Sequence, residues 1–300
     1  MLATCGKSDI SVVTGIHAAG NFVVSVLLCV VDGSVWGVTQ LHHIVYIVCR
    51  GSSAIRRFNA RTHQRLKDIT VNGLSDPRDI AACKQTLQLY VADWAFNECV
   101  WRVSSDGEDA KRWVSKSPTN TLISSISSTS RRWGNTLRLS VTSPRLLVTS
   151  WDTKQLIQFD AVGDELRRVD LPDDMDPHHA AETPSGTFVV SQFNTPVKQW
   201  LVSEVNTGGQ VLRQFSGSHL LPLCVTLHIA VDSQGNIFVA DSLKRRILLL
   251  NSELALRRVI IDEHQLNYKR LRRLCYVEES GQLLVGLREG DVAVFDVLRR

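Results

Sequence analysis

The 300-residue chain carries no CxxC pair. Its seven cysteines, at 5, 29, 49, 83, 99, 224 and 275, stand apart, with no histidine spacing to partner them. That argues against a structural zinc module. The opening MLATCGKSDI lacks the charged-then-apolar order of a secretory signal. Together with the odd cysteine count, this sets the expectation of a reducing, cytoplasmic compartment in which cysteine serves as a small buried residue. The longest apolar run, residues 22–31, is about half the length of a membrane helix, and its valines suit a strand, so no membrane partner is expected. Gly-x-Ser-x-Gly, a phosphate-cradling glycine loop and HExxH are all absent. No catalytic residues and no cofactor are expected. Charge is nearly balanced, 34 basic against 30 acidic residues, too weak a bias by itself to argue nucleic-acid binding, and no DNA partner is indicated. The chain is 44% hydrophobic, enough for a substantial core.

What is present is a loose repeat. Residues 228–251 read HIAVDSQGNIFVADSLKRRILLLN: a strand, a glycine-centred turn, a strand ending Val-Ala-Asp, a polar turn and another strand. The end of the second strand recurs as YIVCR, LYVADW, LLVTSW, FVVSQF, IFVADS and LLVGLR. It carries a small residue each time, at Cys49, Ala92, Thr149, Ser191, Ala240 and Gly286, at intervals of 43, 57, 42, 49 and 46 residues. A period in the forties with strand patterns and no convincing helix predicts an all-β, six-bladed β-propeller of four-stranded antiparallel blades. The small anchors suggest second strands crowding the central axis.

First strands are predicted at 35–40, 79–83, 137–141, 179–182, 226–231 and 272–277. Third strands carry the bulky residues Phe58, Trp101, Phe159, Trp200, Leu249 and Phe295, and fourth strands follow at 65–71, 111–114, 165–171, 210–215 and 256–261. The sixth unit ends one strand short. Residues 22–31 are expected to supply that strand and close the ring, removing exposed edges; 10–14 is a weaker candidate. The whole chain, 1–300, then forms a single domain, with 1–20 as a tail and the Ser/Thr-rich 115–135 as a surface insert.

These residues resemble the repeat of NHL-type propellers. Ile229-Ala-Val-Asp232, Gly235-Asn236, Val239-Ala-Asp241 and Arg246-Ile247 follow its order, as in part do Asp76-Pro-Arg-Asp-Ile80, Tyr90-Val-Ala-Asp93, Asp176-Pro-His-His179 and Pro184-Ser-Gly186. The resemblance implies a six-bladed ring that binds protein or RNA. It does not extend to ubiquitin-ligase activity, because the chain has no RING or B-box pattern. Peptidyl-amidating lyases, similar in repeat, place a Pro-His pair before several blades so that imidazoles meet on zinc; only Pro177-His178 matches. Gluconolactonase-like propellers imply calcium on channel oxygens, for which Asp76, Asp79, Asp176 and Glu182 are the candidates.

The residue types favour a non-enzymatic interaction platform that binds a protein partner through loops at a ring mouth. Arg78, Trp94, Trp151, His178, Phe193 and Lys244, all near strand ends, are the candidate contacts. The alternatives are single-stranded RNA on a basic ring face, with the tryptophans as stacking surfaces, and a channel-metal hydrolase or lyase. Alternation along a strand sends the neighbours of the Arg-Arg doublets to opposite faces, so a doublet is not by itself a basic patch. His42 and His43 are read as a solvated turn, and Asp93 and Asp241 as caps on the turns that follow them.

Overall fold

The computed structural model describes residues 10–11, 24–29, 33–94, 99–113, 137–142, 144–218 and 221–297. Two N-terminal strands, β1 (Ile10–Ser11) and β2 (Val24–Cys29), precede the first blade. That blade is β3 (Val35–Leu41), β4 (Ile44–Cys49), β5 (Ala54–Asn59) and β6 (Arg65–Thr70). The second is β7 (Pro77–Cys83), β8 (Gln88–Asp93), β9 (Cys99–Ser104) and β10 (Ala110–Trp113); the third is β11 (Arg138–Thr142), β12 (Arg145–Ser150), β13 (Gln155–Phe159) and β14 (Glu165–Asp170). The fourth is β15 (Met175–Glu182), β16 (Phe188–Asn194), β17 (Gln199–Val205) and β18 (Val211–Phe215). The fifth is β19 (Thr226–Val231), β20 (Ile237–Asp241), β21 (Arg246–Leu250) and β22 (Leu256–Ile261), and the sixth opens with β23 (Leu271–Val277), β24 (Gln282–Leu287) and β25 (Asp291–Asp296). Each blade is an antiparallel meander, and the six make the expected all-β, six-bladed propeller. Among the described residues no helix is long and apolar enough to cross a membrane.

The ring closes as expected. Strand β2 lies antiparallel on β25, with Leu27 opposite Ala293, and β1 adds a further strand outside it. Deleting residues 1–32 would expose the β25 edge, and a fall of about 5 °C in Tm is expected for the loss of such a strand. An unchanged Tm in a thermal melt would sink the closure role. The rest of the 1–20 tail and the 115–135 insert lie outside the described residues.

Short, capped turns set the spacing. Asp160 Oδ1 accepts the backbone N–H groups of Val162, Gly163 and Asp164, and Asn206 Oδ1 those of Gly208 and Gln210. Asn251 Oδ1 accepts those of Glu253 and Ala255. The same kind of side-chain bond thus stands in for a backbone turn in three blades. His42 and His43 form the exposed β3–β4 turn, with His42 at φ 52°.

Burial is organised between blades. Tyr46 and Ile55 of blade one pack with Leu89, Val91 and Trp101 of blade two. Val35 and Val45 pack with Leu284 and Val292 of blade six, so the apolar core is continuous across the closure. Trp200, partly buried, packs against the core between blades four and five and also meets His178 and Phe193.

One expectation about the axis is corrected. The first strands β3, β7, β11, β15, β19 and β23 neighbour one another around the ring and line the channel. The small second-strand residues are small because the next blade's inner strand presses on them. A Cβ on Gly286 would come within 2.8 Å of Val35 Cγ1 and 3.3 Å of Arg273 Cβ, closer than a side chain tolerates. In blade one the equivalent position is Val48, opposite Gly37, rather than Cys49.

Candidate functional site: the arginine–tryptophan mouth of the channel

The six inner strands meet their second strands at one common level. There Asp79 faces Ala92, Arg138 faces Thr149, His179 faces Ser191, His228 faces Ala240, Arg273 faces Gly286 and Gly37 faces Val48. Five of the strands shift register just before this level, at Val35/Gly37, Pro77/Asp79, Pro177/His179, Thr226/His228 and Leu271/Arg273. A bulge gives a strand one extra residue and re-aims its side chains. The extra residues here are Trp36, Arg78, His178, Leu227 and Arg272. The bulge therefore defeats simple alternation, and both members of the Arg272–Arg273 doublet take part in the channel.

Above that level lies a stack of rings and guanidiniums. The Arg78 guanidinium sits 4.3 Å from the Trp36 ring centroid and 4.6 Å from that of Trp94. Arg272 covers Trp36 at 4.2 Å, and Arg138 approaches it at 5.9 Å. The order is Trp94, Arg78, Trp36, Arg272. Trp94 is 39% exposed and forms the outer end, whereas Trp36 and Arg78 are buried. Each such contact contributes about 0.5–2 kcal/mol depending on desolvation. Asp76 holds Arg78 from the side, Oδ2 to Nη2 at 2.7 Å. Asp93 reaches back to the loop ahead of β7. Its carboxylate accepts the backbone N–H groups of Ser75 and Asp76 and the Trp101 indole N–H, and so pins the loop that leads into Arg78. The Asp241 carboxylate faces the backbone N–H of Lys244 in the turn after it. It pairs with Arg246, which reaches the Pro222 carbonyl ahead of β19.

Below the stack the charges are buried. Arg273 Nε donates to Asp79 Oδ1 at 3.1 Å, and both residues are at most 2% exposed. Arg273 also donates to the Arg78 and Arg272 carbonyls, and Asp79 Oδ2 accepts from Leu139 N–H. Beside them the His179 and His228 rings stack, with centroids 3.6 Å apart. Burial pulls His179 down to about 4, against the pull of Asp79, and holds His228 well below its ordinary value, with His179 itself adding to the effect. Burial and then Arg138 bring His178 to about 4. All three are neutral at pH 7.

Asp79, His179 and His228 bring potential ligand atoms within 4.8 Å of one another. The donor set nevertheless does not suit a cation. Backbone N–H groups of Ile229 and Leu274 point at the Nδ1 atoms of His179 and His228, and His179 Nε2 faces the Leu139 carbonyl. The Asp79 oxygens are taken by Arg273, Ile80 N–H and Leu139 N–H. Few lone pairs are left to offer a metal, and two guanidiniums raise its electrostatic cost. The calcium candidates are likewise scattered. Asp76 serves Arg78, Asp176 pairs with Lys154, and Glu182 binds Arg145 and Gln158 on the far side of the level.

No family model and no curated protein matches the chain. Among solved structures it is similar to a structural-genomics protein of unknown function from Bacteroides thetaiotaomicron, at TM-score 0.64 and 14% identity, over 88% of this chain and 69% of that one. That likeness carries the propeller fold alone. The NHL resemblance stands on the residues quoted for it.

Of the six candidate contacts, Arg78 and Trp94 join the stack. His178 and Phe193 flank Trp200, at 4.7 and 5.4 Å between rings, in a second aromatic group on β15–β17. Trp151, half-buried after β12, and Lys244, exposed after β20, join neither group. Trp36, Arg138 and Arg272 were not among the candidates. For Trp36 and Arg272 the signal is the first strand: aligned on the bulge, five units put Trp36, Arg78, His178, Leu227 and Arg272 at one position, whereas Arg138 stands one residue further on, at the level of Asp79 and Arg273. Arg61, Arg65 and Lys67 take no part in this mouth, because they belong to the outer strand β6 or the turn before it. Beyond the level of the histidines the channel widens into a cavity of about 310 Å³, walled by all six inner strands, among them Gln40, Ala82, Thr142, Glu182, Val231 and Val277.

Proposed function

We propose that the protein is a non-enzymatic interaction platform that docks a protein partner at the mouth bearing Trp94, Arg78, Trp36 and Arg272. One observation carries this reading: the four side chains form a continuous stack whose outer end, Trp94, is 39% exposed. Tryptophan and arginine are the residues most enriched at the energetic centres of protein interfaces, where an aromatic anchor is held rigid by neighbours. Here Arg78 is clamped by Asp76 and by two rings, so little side-chain entropy is lost on docking. An RNA strand is less well served. It needs a basic groove tracking several phosphates, whereas these guanidiniums converge on one point of the ring axis.

The test is affinity capture from nuclease-treated extract with the wild-type protein and with Trp94→Ala, followed by direct titration of the captured protein. A loss of about tenfold or more in affinity is expected for Trp94→Ala, the size typical of an interface centre. Capture that is nuclease-sensitive, or indifferent to Trp94, would overturn the proposal. A fluorescence titration with single-stranded RNA at two salt concentrations provides the second arm: tight, strongly salt-dependent binding would favour RNA instead.

A further inference from the structure

Four guanidiniums gather at this mouth: Arg78, Arg138, Arg272 and Arg273. Two carboxylates answer them, Asp76 for Arg78 and Asp79 for Arg273. Among the described residues, Arg138 and Arg272 lie within ion-pair distance of no carboxylate. Arg138 donates a hydrogen bond from Nη1 to the Arg78 carbonyl at 3.2 Å, and Arg272 lies over the face of Trp36. The two are neighbours across that same ring, 5.9 and 4.2 Å from its centroid. The Trp36 indole N–H is buried beside them without an acceptor.

An uncompensated charge taken out of water is costly unless a counter-charge arrives. Burial, with Arg273 adding to it, pulls Arg138 well below its ordinary range, and burial with Arg273 brings Arg272 to about 10. Arginine in proteins answers such a demand by binding an anion rather than by losing its proton. The neighbouring histidines cannot supply the counter-charge, because an imidazole is either neutral or cationic.

We propose that the mouth holds a phosphate monoester dianion between Arg138 and Arg272, beneath the Trp94 end of the stack. The inference rests on the protein-docking reading, in which a phosphorylated side chain of the partner presents that group. Charge selects the class. A monoester carries close to two negative charges at neutral pH and three terminal oxygens, which matches two unpaired guanidiniums that can each donate forked hydrogen bonds. A phosphodiester of RNA or a single carboxylate brings one charge and leaves one guanidinium unanswered.

The experiment is a thermal melt of the purified chain at pH 7.5, titrated with phosphoserine, inorganic phosphate, dimethyl phosphate or acetate at matched ionic strength. Phosphoserine and inorganic phosphate are expected to raise Tm by on the order of 5 °C at a hundredfold excess over the dissociation constant. Dimethyl phosphate and acetate should give a much smaller shift. Arg138→Met and Arg272→Met should each abolish the phosphate-specific rise while remaining folded, since neither removes a paired charge. An equal rise with acetate, or a rise that survives both substitutions, would overturn the site. Because this titration needs no partner, it separates failure of the phosphate site from failure of the docking reading, which the Trp94→Ala capture tests.

Discussion

Arg273→Met is expected to destabilise the protein by about 3–5 kcal/mol in urea unfolding, the cost of stranding one half of a buried ion pair. Asp79 is 1% exposed and has no water to turn to. Its loss of Arg273 leaves Oδ1 with the Ile80 N–H alone, the Arg272 carbonyl loses its donor, and the Arg78 carbonyl keeps only Arg138. The double variant Asp79→Asn, Arg273→Met removes both charges and keeps an acceptor for Leu139 N–H. It is expected to recover more than half of the loss, because a buried pair replaced as a unit costs far less than a broken one. Double and single variants of equal stability would refute the pairing. Arg138→Met should move the other way in phosphate-free buffer, with a small gain, since no described carboxylate is orphaned by its removal. The same chemical change thus has opposite signs on two neighbouring strands, decided by whether a carboxylate is present.

This contrast also shows what the sequence made legible. The blade count, strand limits and N-terminal closure follow from local signals. Turn residues such as Asp232-Ser-Gln-Gly-Asn236 and small residues such as Ala92 and Ala240 recur at blade spacing because each blade meets the same packing demands. The axis was misassigned to the second strands for a physical reason: smallness at Ala240 reports pressure from a neighbouring strand, and pressure alone does not say on which side the axis lies. Site residues were harder still. Arg272 and Arg273 look like one more doublet among seven, and strict alternation sends one of them away from the channel. Only the bulge at Leu271/Arg273 brings both in, and a bulge of this kind leaves no fixed sequence signature. Arg138 is invisible for a related reason. Its significance is the missing carboxylate around it, which depends on Asp79 being engaged by a strand 194 residues away.

Acidification should loosen the ring before the carboxylates titrate. His179 is held neutral, brought down to about 4 by burial, whereas an unfolded chain binds that proton near its ordinary 6.5. Between those values the unfolded state carries more protons than the folded one, so stability is full above pH 6.5 and falls as pH drops toward 4. At pH 5 the loss is about 2 kcal/mol for His179. His228 is shifted in the same direction, and the 3.6 Å stack disfavours charging both rings together. Melts from pH 7.5 to 5 should therefore show a steady decline in Tm, and His179→Gln should flatten that slope whatever its effect at pH 7.5. An unchanged slope in the variant would show that the stacked imidazoles are not the groups responsible. Phosphate adds a second axis to the measurement. A phosphate monoester takes up its second proton at about pH 6, so the stabilisation a bound dianion adds at pH 7.5 should fade toward pH 5, which steepens the decline of the wild type and leaves that of Arg138→Met unchanged.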